Sequence, residues 1–147
     1  MAAFVAHAGR DAAARSFQAF LERRAAVAAA YVDGDAGPLA GILSGEGSAT
    51  FLSPRGDAVE GARAVAERYA RDAASFVPGG KNRIEILQSA AAGDTAWWTG
   101  YQLADARLRG KEEPVAMKLR VTEAFRWGAD GWKLVHRHAE IAKPDGQ

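Results

Sequence analysis

The amino-acid sequence predicts an α+β fold in which N-terminal helices pack against a mainly antiparallel β-sheet. Up to about residue 76 the apolar residues recur at helical spacing, and from residue 83 onward they alternate with a period of two. Helices therefore precede strands, whereas a doubly wound sheet would alternate them. No repeat or linker divides the 147 residues, so we expect one domain with its core at about 11–142 and flexible tails at 1–10 and 143–147.

Three helices are expected in the first half. The first runs from about 11 to 32, with Asp11 as a candidate N-cap, and the segment DGDAG ends it. Its apolar stripe consists of Phe17, Phe20, Leu21, Ala28 and Tyr31. A short helix follows Pro38, and a third covers about 62–76 with Tyr69 on its apolar side. These faces should pack against the sheet.

The strands come mainly from the second half. A short strand is expected at 49–53, followed by a loop or hairpin at 54–61. Long strands are expected at 83–92, 95–110, 115–127 and 132–141, separated by GD, KEEP and GADG. Consecutive strands with short turns favour an antiparallel meander.

Composition excludes several functional classes. The chain has no cysteine, which removes disulfides, thiolate metal sites and cysteine nucleophiles. Nineteen basic and 18 acidic residues give a net charge of +1, which argues against a nucleic-acid or membrane surface. No signal-peptide pattern, membrane span or phosphate-loop context is present, so we expect a cytoplasmic protein without a cofactor. Abundant Ala, Gly and Arg are typical of GC-rich bacterial genomes.

The last strand carries two of the three histidines, in WKLVHRHAEI. Strict alternation places Trp132, Leu134, His136, His138 and Glu140 on one face. In the preceding strand it places Glu123 and Phe125 on the apolar face with Val115, Met117, Leu119 and Val121. Asp130-Gly131 predicts a type I′ turn, and two possible registers set Glu123 opposite His138 or His136. A connecting loop of three or five residues would place Glu123 and the two histidines on opposite faces of the sheet and remove this arrangement.

Ionisable groups on an apolar face must pair, reach solvent or line a cavity. One interpretation is a catalytic site in which His136 or His138 moves a proton and Glu123 orients the imidazole. Another is a hydrogen-bonded pair that fills the polar end of the core. A third is a His-x-His metal site with Glu123 or Glu140, but spacing alone is weak evidence and no metal is predicted. Arg120 and Arg137 are assigned to the opposite, outer face.

Aromatic residues provide candidates for a substrate-binding wall. Trp97 and Trp98 are adjacent in a strand and must point to opposite faces. Tyr101 shares the face of Trp97. Together with Phe125 and Tyr69, these residues either shape an apolar pocket or pack in the core.

Four segments carry a resemblance to a known family: YVDGDAGPLAGILS, SPRGDAVEGARAVAERY, GDTAWWTGYQL and LRVTEAFRWGADGWKLVHRHAEI. Over about residues 15–141 the chain resembles the SnoaL-like branch of the nuclear transport factor 2 superfamily. The resemblance implies a cone-shaped sheet wrapped around helices, a deep pocket, and a homodimer formed through the sheet. That family includes ketosteroid isomerases, polyketide cyclases, dehydratases, epoxide hydrolases and members used only for binding or assembly.

The resemblance implies a pocket protein for a small hydrophobic ligand. One possibility is a cofactor-independent isomerase, cyclase or dehydratase acting on a carbonyl or hydroxyl compound, and the alternative is a non-catalytic binding or dimerisation module. In ketosteroid isomerases the general base is an aspartate before the proline that follows the first short strand, where this chain has Ser53. The matching position for the oxyanion-stabilising tyrosine is Val27. Both groups of that site are therefore replaced here.

Overall fold

The computed structural model describes residues 2–143, with side chains from Ser16 onward. Three helices, α1 to α3, span Ala2–Val32, Gly37–Ile42 and Ala62–Ala73. Six strands, β1 to β6, span Thr50–Leu52, Ala58–Glu60, Lys81–Ala92, Thr95–Ala106, Val115–Gly128 and Gly131–Ile141. The predicted α+β class is confirmed. In this part of the chain, no helix combines the length and apolarity needed to span a membrane.

One sheet contains all six strands in the order β2-β1-β6-β5-β4-β3. Neighbouring strands are antiparallel except β1 and β6, which are parallel. The long strands β3 to β6 form the predicted meander, and α1 packs across it against β3, β4 and β6. The core lies between the helices and the inner face of this sheet, where Phe17, Phe20 and Phe125 pack together.

Helix α1 starts earlier than the sequence indicates. Its backbone is helical from Ala2, so Asp11 lies within the helix and the predicted N-cap is wrong. Gly34 follows its C-terminus with φ +93°, and a Cβ there would lie 2.9 Å from the carbonyl oxygen of Phe76. Only glycine meets both demands without strain. Of the predicted C-terminal tail, residues 144–147 lie outside the described residues.

The β5–β6 turn differs from the predicted type I′ turn. Gly128 pairs with Gly131 and Trp127 with Trp132, so the two-residue turn is Ala129–Asp130. Among these residues only Gly131 has positive φ, +94°. A type I′ turn at Asp130-Gly131 would need positive φ at both positions. Here Gly131 follows the turn in a left-handed conformation, so the register of the hairpin differs from the one that turn would give.

A β-bulge in β6 then reverses the predicted faces. Phe125 pairs with Leu134 but Ala124 pairs with His136, which leaves Val135 as an extra residue. An extra residue moves every following side chain to the other face. Arg137 is consequently buried on the inner face, and the prediction that His136 and His138 face inward is wrong.

A second bulge lies in β3. The pairing with β4 shifts between Ile86 and Gln88, so Leu87 is the extra residue. Opposite it stands Gly100, where a Cβ would overlap the carbonyl oxygen of Glu85. Bulges bend strands and increase their twist, and the absence of a side chain at Gly100 permits this close approach of β3 to β4.

Candidate functional site

A cavity of about 290 Å³ lies between the helices and the inner face of the sheet. Its apolar walls come from α1, α2, β1 and β5, and include Ala28, Leu39, Phe51 and Leu119. Polar side chains in its wall include Arg24, Arg68, Tyr69, Asp72, Gln102 and Arg137. The surface of the cavity is mainly apolar, as that of ligand sites usually is, although about half of its lining residues are polar.

Behind the cavity wall, Glu123 is held by a buried network. Its side chain is 0% exposed, and it does not line the cavity. Arg24 Nε donates to Oε1 at 2.9 Å, and Arg24 Nη2 donates to Oε2 at 2.8 Å. Arg137 Nη1 donates to Oε2 and Trp98 Nε1 to Oε1, both at 2.8 Å. Four donors therefore occupy the carboxylate, and Arg24 and Arg137, but not Glu123, line the cavity.

The network extends across the sheet from Arg137. Arg137 Nη2 donates to Gln102 Oε1 at 2.7 Å, and Gln102 Nε2 donates to Asn82 Oδ1 at 2.8 Å. Three strands thereby contribute to one chain of hydrogen bonds. Since both terminal nitrogens of Arg137 are engaged, its orientation is fixed by its partners.

Electrostatics keeps this cluster ionised. Burial alone would raise the pKa of Glu123, but the charges and hydrogen bonds of Arg24 and Arg137 lower that pKa to about 2. Burial would lower the pKa of Arg24, and the negative charge of Glu123 raises it more. The cluster is therefore an ion triad of two cations and one anion at neutral pH.

Two buried donors at the cavity lack acceptors. Arg24 Nη1 and the Tyr69 hydroxyl have no hydrogen-bond partner among residues 16–143, and both residues line the cavity. Burial raises the pKa of Tyr69, so its hydroxyl stays protonated and can donate. An unsatisfied buried donor costs about 1–3 kcal/mol. The cavity wall thus offers unused hydrogen-bonding capacity.

A second ion cluster surrounds Arg68, another cavity-lining residue. Arg68 Nη1 donates to Asp57 Oδ2 at 2.6 Å, and its Nε donates to Asp72 Oδ2 at 2.9 Å. The hydrogen bond from Arg68 holds the pKa of Asp57 well below its usual range, and Ser53 contributes through its own hydrogen bond. Ser53, at the position of the isomerase base, is therefore a buried partner of Asp57.

His136 and His138 lie on the outer face of the sheet, away from the cavity. Thr50 Oγ1 is 2.6 Å from His136 Nδ1, while His138 is exposed beside Glu140 and Tyr101 in a shallow groove. Partial burial, and then the charge of His138, lower the pKa of His136. Over the described side chains, no group of three His, Asp or Glu residues is placed to hold a metal ion. The catalytic roles predicted for His136, His138 and Glu123 stay predictions, but their predicted common face does not exist.

Of the five aromatic residues predicted to bind substrate, only Tyr69 lines the cavity. Phe125 and Trp98 are fully buried, Phe125 among phenylalanines of α1 and Trp98 against Glu123. Trp97 is 37% exposed on the outer face, and Tyr101 shares that face, where its ring contacts Lys118. The opposite orientation of the two tryptophans is confirmed.

Sequence reasoning missed Arg24 and misplaced Arg137. Arg24 falls within the apolar stripe of α1, between Leu21 and Ala28, and a charge on a buried stripe requires a buried partner. In β6 the apolar residues change phase, from Trp132 and Leu134 to Ala139 and Ile141. That change of phase was the signal for the bulge that turns Arg137 inward.

Comparison with known proteins agrees with the architecture. A model of the family described as the SnoaL-like domain matches residues 21–143. No curated protein is significantly similar to the chain in sequence.

Among solved structures, an NTF2-like superfamily protein from Salmonella enterica serovar Typhimurium superposes with a TM-score of 0.74 at 16% identity, covering 92% of this chain and 95% of its own. A proposed dehydratase of the NTF2-like family from Streptomyces avermitilis gives 0.68 at 20% identity, covering 92% and 99%. The CaMKII hub of S. rosetta gives 0.62 at 21% identity, covering 85% and 95%. These identities establish a common fold alone. The family match over most of its length shows that the chain belongs to the SnoaL-like domain family, and the solved structures show that it has the NTF2-like fold.

Proposed function

We propose that the protein binds a small, largely apolar molecule in the cavity between its helices and the inner face of the sheet. The observation that carries the proposal is the cavity of about 290 Å³, with apolar walls and the donors Arg24 and Tyr69. Its size is near the lower end of that of ligand sites. Burial of an apolar ligand would supply most of the affinity, and the donors would orient it.

The same geometry favours binding over proton transfer. A general base must lie within hydrogen-bond reach of the substrate. Asp72 is the one carboxylate among the described residues that line the cavity, and these residues include no histidine. Asp72 already accepts a hydrogen bond from Arg68. The cavity is richer in donors than in bases. We therefore favour the non-catalytic binding protein over an isomerase, cyclase or dehydratase.

The test is a titration with phenylacetamide, a neutral aromatic probe, followed by NMR on ¹⁵N-labelled protein. Ala28 lines the cavity and is buried, whereas its neighbour Ala29 on the same helix is exposed. Ala28→Leu should fill part of the cavity and weaken binding about tenfold or more, because about three methyl-sized groups would occupy ligand space. Ala29→Leu should bind like the wild type.

Binding that is equal in Ala28→Leu and wild type, or shifts confined to residues of the outer face, would contradict the proposal. No binding at millimolar concentration of either phenylacetamide or its carboxylate analogue phenylacetate would contradict it as well. Thermal melts of both variants identify any general loss of fold.

We further propose that the protein forms a homodimer through the outer face of the sheet. Leu87 and Trp97 are 67% and 37% exposed there, and Tyr101 lines a shallow groove together with Leu87. Clustered exposed apolar residues mark interaction surfaces. Leu87→Glu should convert a dimer into a monomer in multi-angle light scattering. Ile141→Glu replaces a residue of similar exposure, 73%, that borders the cavity instead, and should leave the dimer intact; equal effects of the two variants would refute this interface.

A further inference from the structure

We infer that the buried wall of the cavity at Arg24 selects an anionic group: the ligand carries one acidic oxygen group, such as a carboxylate, which accepts hydrogen bonds from Arg24 and Tyr69. This inference rests on the proposed function and names the ligand class for the same cavity. The rest of the ligand is apolar, as the walls formed by Ala28, Leu39 and Phe51 require.

The first argument is the charge of the triad. Arg24 and Arg137 contribute two positive charges and Glu123 one negative charge, which leaves a net charge of +1 in a buried cluster. No second carboxylate of the described residues bonds to either guanidinium. An uncompensated charge in a protein interior is costly. A ligand carboxylate would neutralise the cluster, whereas a neutral ligand would not.

The second argument concerns which donors are free. Glu123 occupies Nε and Nη2 of Arg24, so Nη1 is the nitrogen left without an acceptor. Arg137 has both terminal nitrogens engaged. The Tyr69 hydroxyl is the other unpaired donor, and Arg24, Arg137 and Glu123 all lie within electrostatic reach of it. One charged and one neutral donor, on two residues that line the cavity, match the two oxygens of a carboxylate.

The third argument is that Glu123 holds the site rigid. A free arginine side chain would lose conformational entropy when it met a ligand. Here the bidentate contact with Glu123 already fixes the plane of the Arg24 guanidinium. Glu123 is thus a positioning residue, and the cost of ordering the anion-binding group is met on folding.

The cluster around Arg68 has a net charge of the opposite sign, and its carboxylates are more exposed to solvent than Glu123. Arg68 with Asp57 and Asp72 has a net charge of −1, and the carboxylates are 52% and 25% exposed. Solvent screens charges at such positions more strongly than in the interior. The preference for anions therefore applies to the buried wall at Arg24 and not to the cavity as a whole.

The experiment compares phenylacetate with phenylacetamide, two probes of nearly equal shape that differ in charge. Phenylacetate should bind about tenfold or more tightly, because hydrogen bonds to a charged acceptor are about twice as strong as those to a neutral one. The variant is Tyr69→Phe, because the Tyr69 hydroxyl bonds to no described residue and its loss leaves the fold intact. A substitution of Arg24 would instead remove two donors from Glu123 and endanger folding.

Tyr69→Phe should weaken phenylacetate binding about tenfold and lower the ratio of the two affinities. Tyr101→Phe removes a hydroxyl on the outer face and should change neither affinity by more than about twofold. If phenylacetamide binds as tightly as phenylacetate and Ala28→Leu weakens both, the proposed function stands and the anion preference is refuted. An unchanged phenylacetate affinity in Tyr69→Phe also refutes it. If neither probe binds, both proposals fail.

Discussion

The two faces of the β5–β6 hairpin carry similar ionisable groups and use them differently. On the inner face Glu123, which is 0% exposed, meets the buried residues Arg24 and Arg137 at 2.8 Å. On the outer face Glu140 meets Arg120 at 3.6 Å, and both side chains are more than half exposed. The first contact is a fixed hydrogen-bonded cluster, and the second is a loose pair in water.

The difference shows how environment determines what a charged pair contributes. Removing one partner of a buried pair leaves an uncompensated charge and costs about 3–5 kcal/mol. An exposed pair contributes about 0–1 kcal/mol, because water screens it and long side chains lose entropy when they pair. The inner cluster therefore positions groups at the cavity, whereas the outer pair has little influence on structure.

The bulge at Val135 keeps the two sets on their separate faces, and a deletion that reverses those faces should have the largest effect. Leu134 faces inward opposite Phe125, and His136 faces outward opposite Ala124. Deletion of Val135 alone would remove the bulge and keep these pairings, whereas deletion of Val135 together with His136 would turn Arg137 outward and His138 inward. For the double deletion we expect loss of the cooperative thermal transition measured by circular dichroism, because Glu123 would lose a partner and the core would receive the wrong side chains. The single deletion should keep a cooperative transition; a wild-type melting curve for the double deletion would contradict this account.

The helices and strands could be predicted from the sequence, because the spacing of apolar residues indicates which side of an element is buried. The stripe of α1 containing Phe17 and Phe20 and the inner face of β5 from Leu119 to Phe125 are confirmed. These assignments depend on regular repeats in a single element. The helix boundary at Asp11 was wrong because a capping residue is only a local preference.

The candidate site could be predicted less well from the sequence, because its arrangement depends on one extra residue in β6. Strict alternation through Val135 placed the histidines with Glu123, and the bulge brings Arg137 to that carboxylate instead. The partnership of Arg24 with Glu123 joins residues far apart in sequence, and no local pattern specifies it. Tyr69 was found because it lies on the apolar side of a well-defined helix.

Glu123→Gln and Glu140→Gln form a matched pair that measures the contrast between the two faces. Glu123→Gln should lower the free energy of unfolding by about 3–5 kcal/mol, because Arg24 and Arg137 lose their counter-charge. Glu140→Gln should change it by about 0.5 kcal/mol or less. Urea denaturation at pH 7 measures both. Equal effects of the two substitutions would mean that burial does not determine the strength of the inner cluster.

Acid should reduce the effect of Glu123→Gln in a defined pH range. The pKa of Glu123 is about 2 in the folded protein, below its ordinary value of 4.5. The stabilisation by its ionised form is therefore fully present above pH 4.5 and is lost as the pH falls through about 2. The difference in unfolding free energy between wild type and Glu123→Gln should shrink over that range. A difference that stays constant from pH 7 to pH 2 would show that Glu123 acts through its shape and hydrogen bonds and not through its charge.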